Sequence, residues 1–115
     1  MTNRATGLTF TSYQDKASTT AIYPDSMKVL YPAMGLPSEV GEMLNKLKKV
    51  FRDDEGVITA DKRAELQDEL GDVLWYIAQL SNDLDISMEF AAKTNLDKLA
   101  SRQERNQLQG KGDNR

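Results

Sequence analysis

Apolar and aromatic side chains recur at helical spacing from Phe10, with Phe10, Tyr13, Ala17 and Ala21 on one face until Tyr23-Pro24-Asp25 breaks the repeat. The spacing predicts a first helix over about 10–21. The nine residues before it carry Gly7 and several Thr and Asn without periodicity, and are expected to form an arm ordered only by contacts. Pro32, Gly35 and Pro37 interrupt the next segment, so the second helix is expected either to kink there or to start near Pro37. From Val40 the pattern is amphipathic, with Met43, Leu44, Leu47, Val50 and Phe51 on the apolar side and Asp53-Asp54-Glu55-Gly56 as its end. Thr59 is the expected N-cap of a third helix over about 60–83, whose stripe runs Leu66, Leu70, Val73, Leu74, Ile77, Leu80. Ser87 is the expected cap of a fourth, which carries Phe90, Ala91, Leu96 and Leu99 and fades after Arg105. No strand pattern competes, so the expected class is all-α, a four-helix bundle-like protomer around a central antiparallel helix hairpin. The last residues, from Gln109 to Arg115, are expected to be a flexible tail unless a ligand orders them.

At 115 residues the chain has room for one domain with a modest core. Fifteen Lys and Arg against 18 Asp and Glu give a net charge of −3, without the basic excess that nucleic acid or anionic lipid attracts. With no Cys and no His there is no thiol nucleophile, imidazole base, Cys-type or His-type metal site. Chemistry must run on carboxylates, Lys, Tyr or a hard cation. The longest charge-free stretch of the apolar middle, Val73 to Asn82, is too short to span a bilayer, and a cytoplasmic protein without membrane or nucleic-acid partners is expected.

Two hexapeptides match position by position: Glu39-Val40-Gly41-Glu42-Met43-Leu44 and Glu69-Leu70-Gly71-Asp72-Val73-Leu74. At 100° per residue each acidic pair borders the apolar stripe of its helix. In an antiparallel hairpin, residues equidistant from the turn lie level. The pairs 39 with 72 and 42 with 69 both centre on position 55.5, inside Asp54-Glu55-Gly56, so four carboxylates are expected to meet across the hairpin. Like charges that close repel unless a cation or shared protons compensate, and oxygen ligands alone select Mg²⁺, Mn²⁺ or Ca²⁺. Mg²⁺ is expected, with Mn²⁺ as a substitute. Gly41 and Gly71 each cost about 0.5–1 kcal/mol relative to Ala inside a helix, which points to close approach of the two helices or of a ligand there. A Mg²⁺ site of this kind suggests metal-assisted attack of water on a phosphate ester or anhydride. Lys46 and Lys49 on the flank of the second helix, and Lys98 and Arg102 on the fourth, are candidate phosphate contacts from their charge.

The pairs Glu39-x-x-Glu42 and Glu69-x-x-Asp72, separated by 26 residues, resemble the signature of the MazG-like nucleoside triphosphate pyrophosphohydrolases. The runs Gly35-Leu-x-x-Glu39-x-Gly-Glu42, Asp68-Glu-Leu-Gly-Asp-Val-Leu-Trp-Tyr76 and Asn95-Leu-x-Lys98-Leu are similar to that family's, over roughly residues 10 to 105. Pro37 departs from the pattern just before the first pair. The resemblance implies an all-α fold assembled as a homo-dimer or homo-tetramer. It implies Mg²⁺-dependent hydrolysis of an NTP or dNTP between the α and β phosphates, to the monophosphate and pyrophosphate. Carried over, it makes Glu39, Glu42, Glu69 and Asp72 metal ligands, Glu39 the residue that orients or deprotonates water, and Asn95 and Lys98 phosphate contacts. Asn114 and Arg115 join Lys46, Lys49 and Arg102 as contacts suggested by charge alone, and a purine such as dGTP is mildly favoured.

A single acidic pair at this spacing is weak evidence; Glu65 with Asp68 is a third such pair and reads as solvated surface. Trp75 lies off the apolar stripe and is expected against the first helix, a partner subunit or a base, with the subunit interface favoured. Tyr76 shares the carboxylate flank. Phe10 and Tyr13 could stack a base, although core packing of a short helix explains them as well. Two other functions compete: a helical interaction module without catalysis, and hydrolysis of another nucleotide such as phosphoribosyl-ATP. Trp75, the first helix and Val29-Leu30-Tyr31 supply surplus apolar surface for association.

Overall fold

Helix ends are set by short polar side chains that take up backbone groups the helices leave without partners. In the computed structural model, which describes residues 6–105, helix α1 spans Phe10–Ser18, α2 Leu30–Asp53, α3 Ala60–Asp83 and α4 Met88–Glu104, with a 3₁₀ turn at Asp25–Met27. Thr9 opens α1 with a capping box, its hydroxyl accepting from the Ser12 N–H while Ser12 reaches back to the Thr9 N–H. Thr59 and Ser87 cap α3 and α4 as expected, accepting from Lys62 and Phe90 N–H at 3.1 Å each. No strand occurs among the described residues. No helix of the described residues is long and apolar enough to cross a membrane.

Two boundaries differ from the sequence pattern. Helix α1 stops at Ser18 instead of near 21. Ser18, Thr19 and Thr20 turn their hydroxyls onto the Asp15, Lys16 and Ala17 carbonyls at 2.6–2.8 Å, competing with continuation of the helix. Helix α2 begins at Leu30, seven residues ahead of Pro37. Pro32 falls in its first turn, where a missing N–H costs nothing, and Pro37 lies inside the helix, where it has no N–H to offer the preceding turn.

Helices α2 and α3 form the antiparallel hairpin. The Tyr76 ring seats against Gly35, and Lys46 pairs with Glu69, so the two helices run past each other about the predicted turn. Val50 is fully buried near its closed end. Helix α1 packs on α3 and α4, and the small core there joins Ala17, Ala78 and Met88 to Tyr13, Leu74 and Trp75. Much apolar surface stays open, including Leu44, Phe51, Phe90 and Leu96. The radius of gyration, 17.1 Å, exceeds the roughly 13 Å of a compact chain of this length.

Candidate metal centre

The seam between α2 and α3 collects acids because residues three apart on each helix flank its apolar stripe. Carboxylate oxygens of Glu39, Glu69 and Asp72 lie within 4.8 Å of one another. Glu69 is buried, Glu39 half-buried and Asp72 exposed, so the cluster opens to solvent on one side. Glu39 Oε2 and Glu69 Oε2 are both buried without a hydrogen-bond partner. Lys46 Nζ meets the other Glu69 oxygen at 3.0 Å, and that contact raises the Lys46 ammonium above its ordinary range. Burial pushes the Glu39 carboxyl up to about 7, reinforced by the charges of Glu42 and Asp72 and by the close approach of the Glu69 carboxylate, with which the protonated form shares its proton.

Two buried oxygens with no donor, an all-oxygen ligand set and mutual repulsion are what a hard divalent cation would relieve. The residues therefore fit Mg²⁺ or Mn²⁺. Three of the four expected carboxylates share this cluster, and Glu42, three residues beyond Glu39 on α2, is exposed beside it. Its charge still reaches Glu39.

The remaining candidates are spread more widely. Lys46 is at the cluster, whereas the charge of Lys49 acts on Asp53 near the hairpin's closed end. Asn95 and Lys98 line a shallow cavity of about 330 Å³ on α4 with Ala91 and Thr94. Arg102 is buried, 3% exposed. Asn114 and Arg115 lie outside the described residues. Glu65 pairs with Lys62 at 2.8 Å.

Aromatic residues frame the acids. The Tyr13 hydroxyl is raised by burial and then by the charge of Asp72, and its ring lines an apolar cavity of about 370 Å³ with Leu8, Thr9, Phe10, Leu74 and Glu89. Trp75 packs on α1 and donates to Thr20 Oγ1 at 2.7 Å, the first of its three expected placements. The Tyr76 hydroxyl is raised by burial, by a hydrogen bond with Tyr31, and by the charges of Glu39 and Asp72. A Cβ on Gly35 would overlap the Tyr76 ring, whereas one on Gly41 or Gly71 would meet nothing within 4 Å. The close helix approach thus occurs about one and a half turns away from the glycines that suggested it. Positions 35 and 76 share the 55.5 midpoint of the acidic pairs, a signal the sequence carried.

The family model described as MazG nucleotide pyrophosphohydrolase domain matches residues 32–106. The chain is 53% identical over 109 residues to the "Gene 37 protein" of Mycobacterium phage L5, covering 90% of this chain and 96% of that protein. No solved structure matches it.

Proposed function

The chain belongs to the MazG nucleotide pyrophosphohydrolase family, and from that premise we propose that it hydrolyses a nucleoside or deoxynucleoside triphosphate to the monophosphate and pyrophosphate at the α2–α3 seam. The observation that carries this reading is the triad of Glu39, Glu69 and Asp72, with two buried oxygens that accept no hydrogen bond from the described residues. These three, with Glu42 at the rim, would hold Mg²⁺ or Mn²⁺. When bound, the ion supplies a Lewis acid that polarises phosphate oxygens and offsets charge on the leaving pyrophosphate.

The chain's own groups divide the remaining work. Glu39, at the buried edge of the cluster, orients the attacking water and accepts its proton. The bond between the α and β phosphates breaks, and pyrophosphate leaves with the electron pair. Lys46, paired with Glu69 at the cluster, would also contact the triphosphate. Asn95 and Lys98 contact the outer phosphates from α4. The cavity beside Tyr13 takes the base, with Phe10 and Tyr13 against its face, and a purine such as that of dGTP is favoured. The whole chain acts as one catalytic domain in the cytoplasm. Its exposed Leu44, Phe51, Phe90 and Leu96 are covered in a homo-dimer or homo-tetramer.

Pyrophosphate release from the eight common NTPs and dNTPs, with Mg²⁺, with Mn²⁺ and with EDTA, tests the proposal. Metal-dependent release together with monophosphate supports it and ranks the bases. Silence with metal bound redirects the assignment to another nucleotide, and silence without metal binding to a helical interaction module.

A further inference from the structure

An acid at the end of a helix opposes the helix dipole, and α3 ends on one, Asp83. Its carboxylate is occupied: Oδ2 accepts from the Tyr23 hydroxyl at 2.8 Å and from the Val29 N–H at 2.9 Å. Val29 has φ 68° and ψ −54°, a left-handed conformation costly for a β-branched side chain. The Leu30 N–H closes onto the Lys28 carbonyl at 2.7 Å, which makes this a strained γ-turn. It is also the point from which α2 starts.

Rings carry that placement towards the acids. Tyr23 stacks on Tyr31 with centroids 4.8 Å apart, and Tyr31 leans on Tyr76 at 6.2 Å. Tyr76 fills the space left by Gly35. Gly35 and Glu39 are one turn apart on α2, as Tyr76 and Asp72 are on α3, so the Tyr76–Gly35 contact is the next rung of the ladder that holds the carboxylates. Asp83 itself lies eleven residues beyond Asp72, about 16 Å along the helix, too far to touch a phosphate held at the cluster.

We propose that Asp83 is a positioning residue for the carboxylate cluster: by holding the strained turn at Val29 it sets where α2 begins and, through Tyr31 and Tyr76, where Glu39 stands against Asp72. This rests on the reading of the cluster as a pyrophosphohydrolase metal centre. The strain is the informative part. Without Asp83, Val29 relaxes out of the turn, whereas a glycine at 29 keeps the turn unaided.

The test compares wild type, Asp83→Ala, Asp83→Asn, Val29→Gly and the double variant Asp83→Ala/Val29→Gly, with circular dichroism as the check on folding. Trp75, the single tryptophan, meets the Tyr76 ring edge-on at 5.1 Å, so its emission reports Tyr76 placement without any substrate. Asp83→Ala is expected to shift that emission, to raise the Mn²⁺ midpoint read by thermal shift, and to lower kcat about tenfold to 100-fold with KM for the nucleotide little changed. The double variant is expected to recover emission, Mn²⁺ midpoint and most of kcat. Unchanged emission and kcat in folded Asp83→Ala, or no recovery in the double variant, would overturn the proposal. Should Asp83→Ala not fold, Asp83→Asn, which lacks the charge and keeps an acceptor, gives the same readouts in smaller measure, and no change there overturns it equally. A wild type that releases no pyrophosphate would refute the catalytic reading alone, because emission and the Mn²⁺ midpoint still decide the coupling.

Discussion

Two groups of buried polar side chains occupy this small chain, and they are built on opposite terms. Where α1 meets α3 and α4, every polar group of Gln14 is used: its amide donates to Asn82 Oδ1 at 2.9 Å and the Ile86 carbonyl at 2.7 Å, and its oxygen accepts the Met88 N–H at 2.9 Å. Gln79, fully buried, donates to the Ala17 carbonyl at 2.7 Å. At the α2–α3 seam, by contrast, Glu39 and Glu69 each bury an oxygen that nothing satisfies. A buried polar atom without a partner costs about 1–3 kcal/mol, and like charges add to it. The first group fixes register and contributes stability; the second gives stability up, and the difference marks where a ligand belongs.

The largest effect should come from removing charge at the unsatisfied group. Glu39→Gln, Glu69→Gln or Asp72→Asn is expected to lower pyrophosphate release by about 100-fold or more while the metal-free protein keeps its helical content, and Glu39→Gln, which removes the strained carboxyl, is expected to unfold at a higher temperature. Near wild-type turnover in any of the three would remove that residue from the ligand set. Glu42→Gln sharpens the geometry: a smaller loss is expected from its place on the rim, and a loss equal to that of Asp72→Asn would make it a full ligand once the ion is bound.

On the satisfied side the expectation reverses. Gln14→Ala leaves the buried Met88 N–H without an acceptor and should cost about 2–3 kcal/mol, lowering Tm by about 10 °C, with turnover per folded molecule kept within about twofold. A variant as stable as wild type would show that the Gln14 network does not hold α1. Gly35→Ala falls between the two groups. Its methyl would meet the Tyr76 ring, so a loss of about 1–3 kcal/mol is expected together with a changed Trp75 emission, and an unaltered spectrum would show that the ring moves at no cost.

These two groups also differ in how far the sequence announced them. The acids were legible because acids scattered over a solvated surface do not fall into two matched hexapeptides, each on a helix flank, about one common midpoint. Helix caps at Thr59 and Ser87 were legible because local chemistry dictates them. Gln14 and Gln79 were not: a polar residue on a short helix reads as solvated until the neighbour that buries it is known. Val29 was hidden for a related reason, because no local rule places a β-branched residue at positive φ and only the distant Asp83 makes it possible.

The smallest expected effect is a slope. Glu39 has its carboxyl raised from 4.5 to about 7 in the folded chain. Between those values the folded state binds a proton that the unfolded state has released, so this group's contribution is fully present below about pH 4.5 and is lost as pH rises through about 7. Solvent screening at a half-buried group brings the change to about 1 kcal/mol. Asp53 and Glu65, held down by Arg52 and Lys62, act in the opposite sense, but their carboxyls titrate below their ordinary range and leave the window above pH 4.5 to Glu39. Thermal unfolding in EDTA should therefore show Tm falling from pH 5 to pH 7.5, Glu39→Gln should flatten that fall, and Mg²⁺ should reverse it by favouring the ionised carboxylate. A fall that persists unchanged in Glu39→Gln would assign the slope to another group and sever the link between burial at the seam and its readiness for a cation.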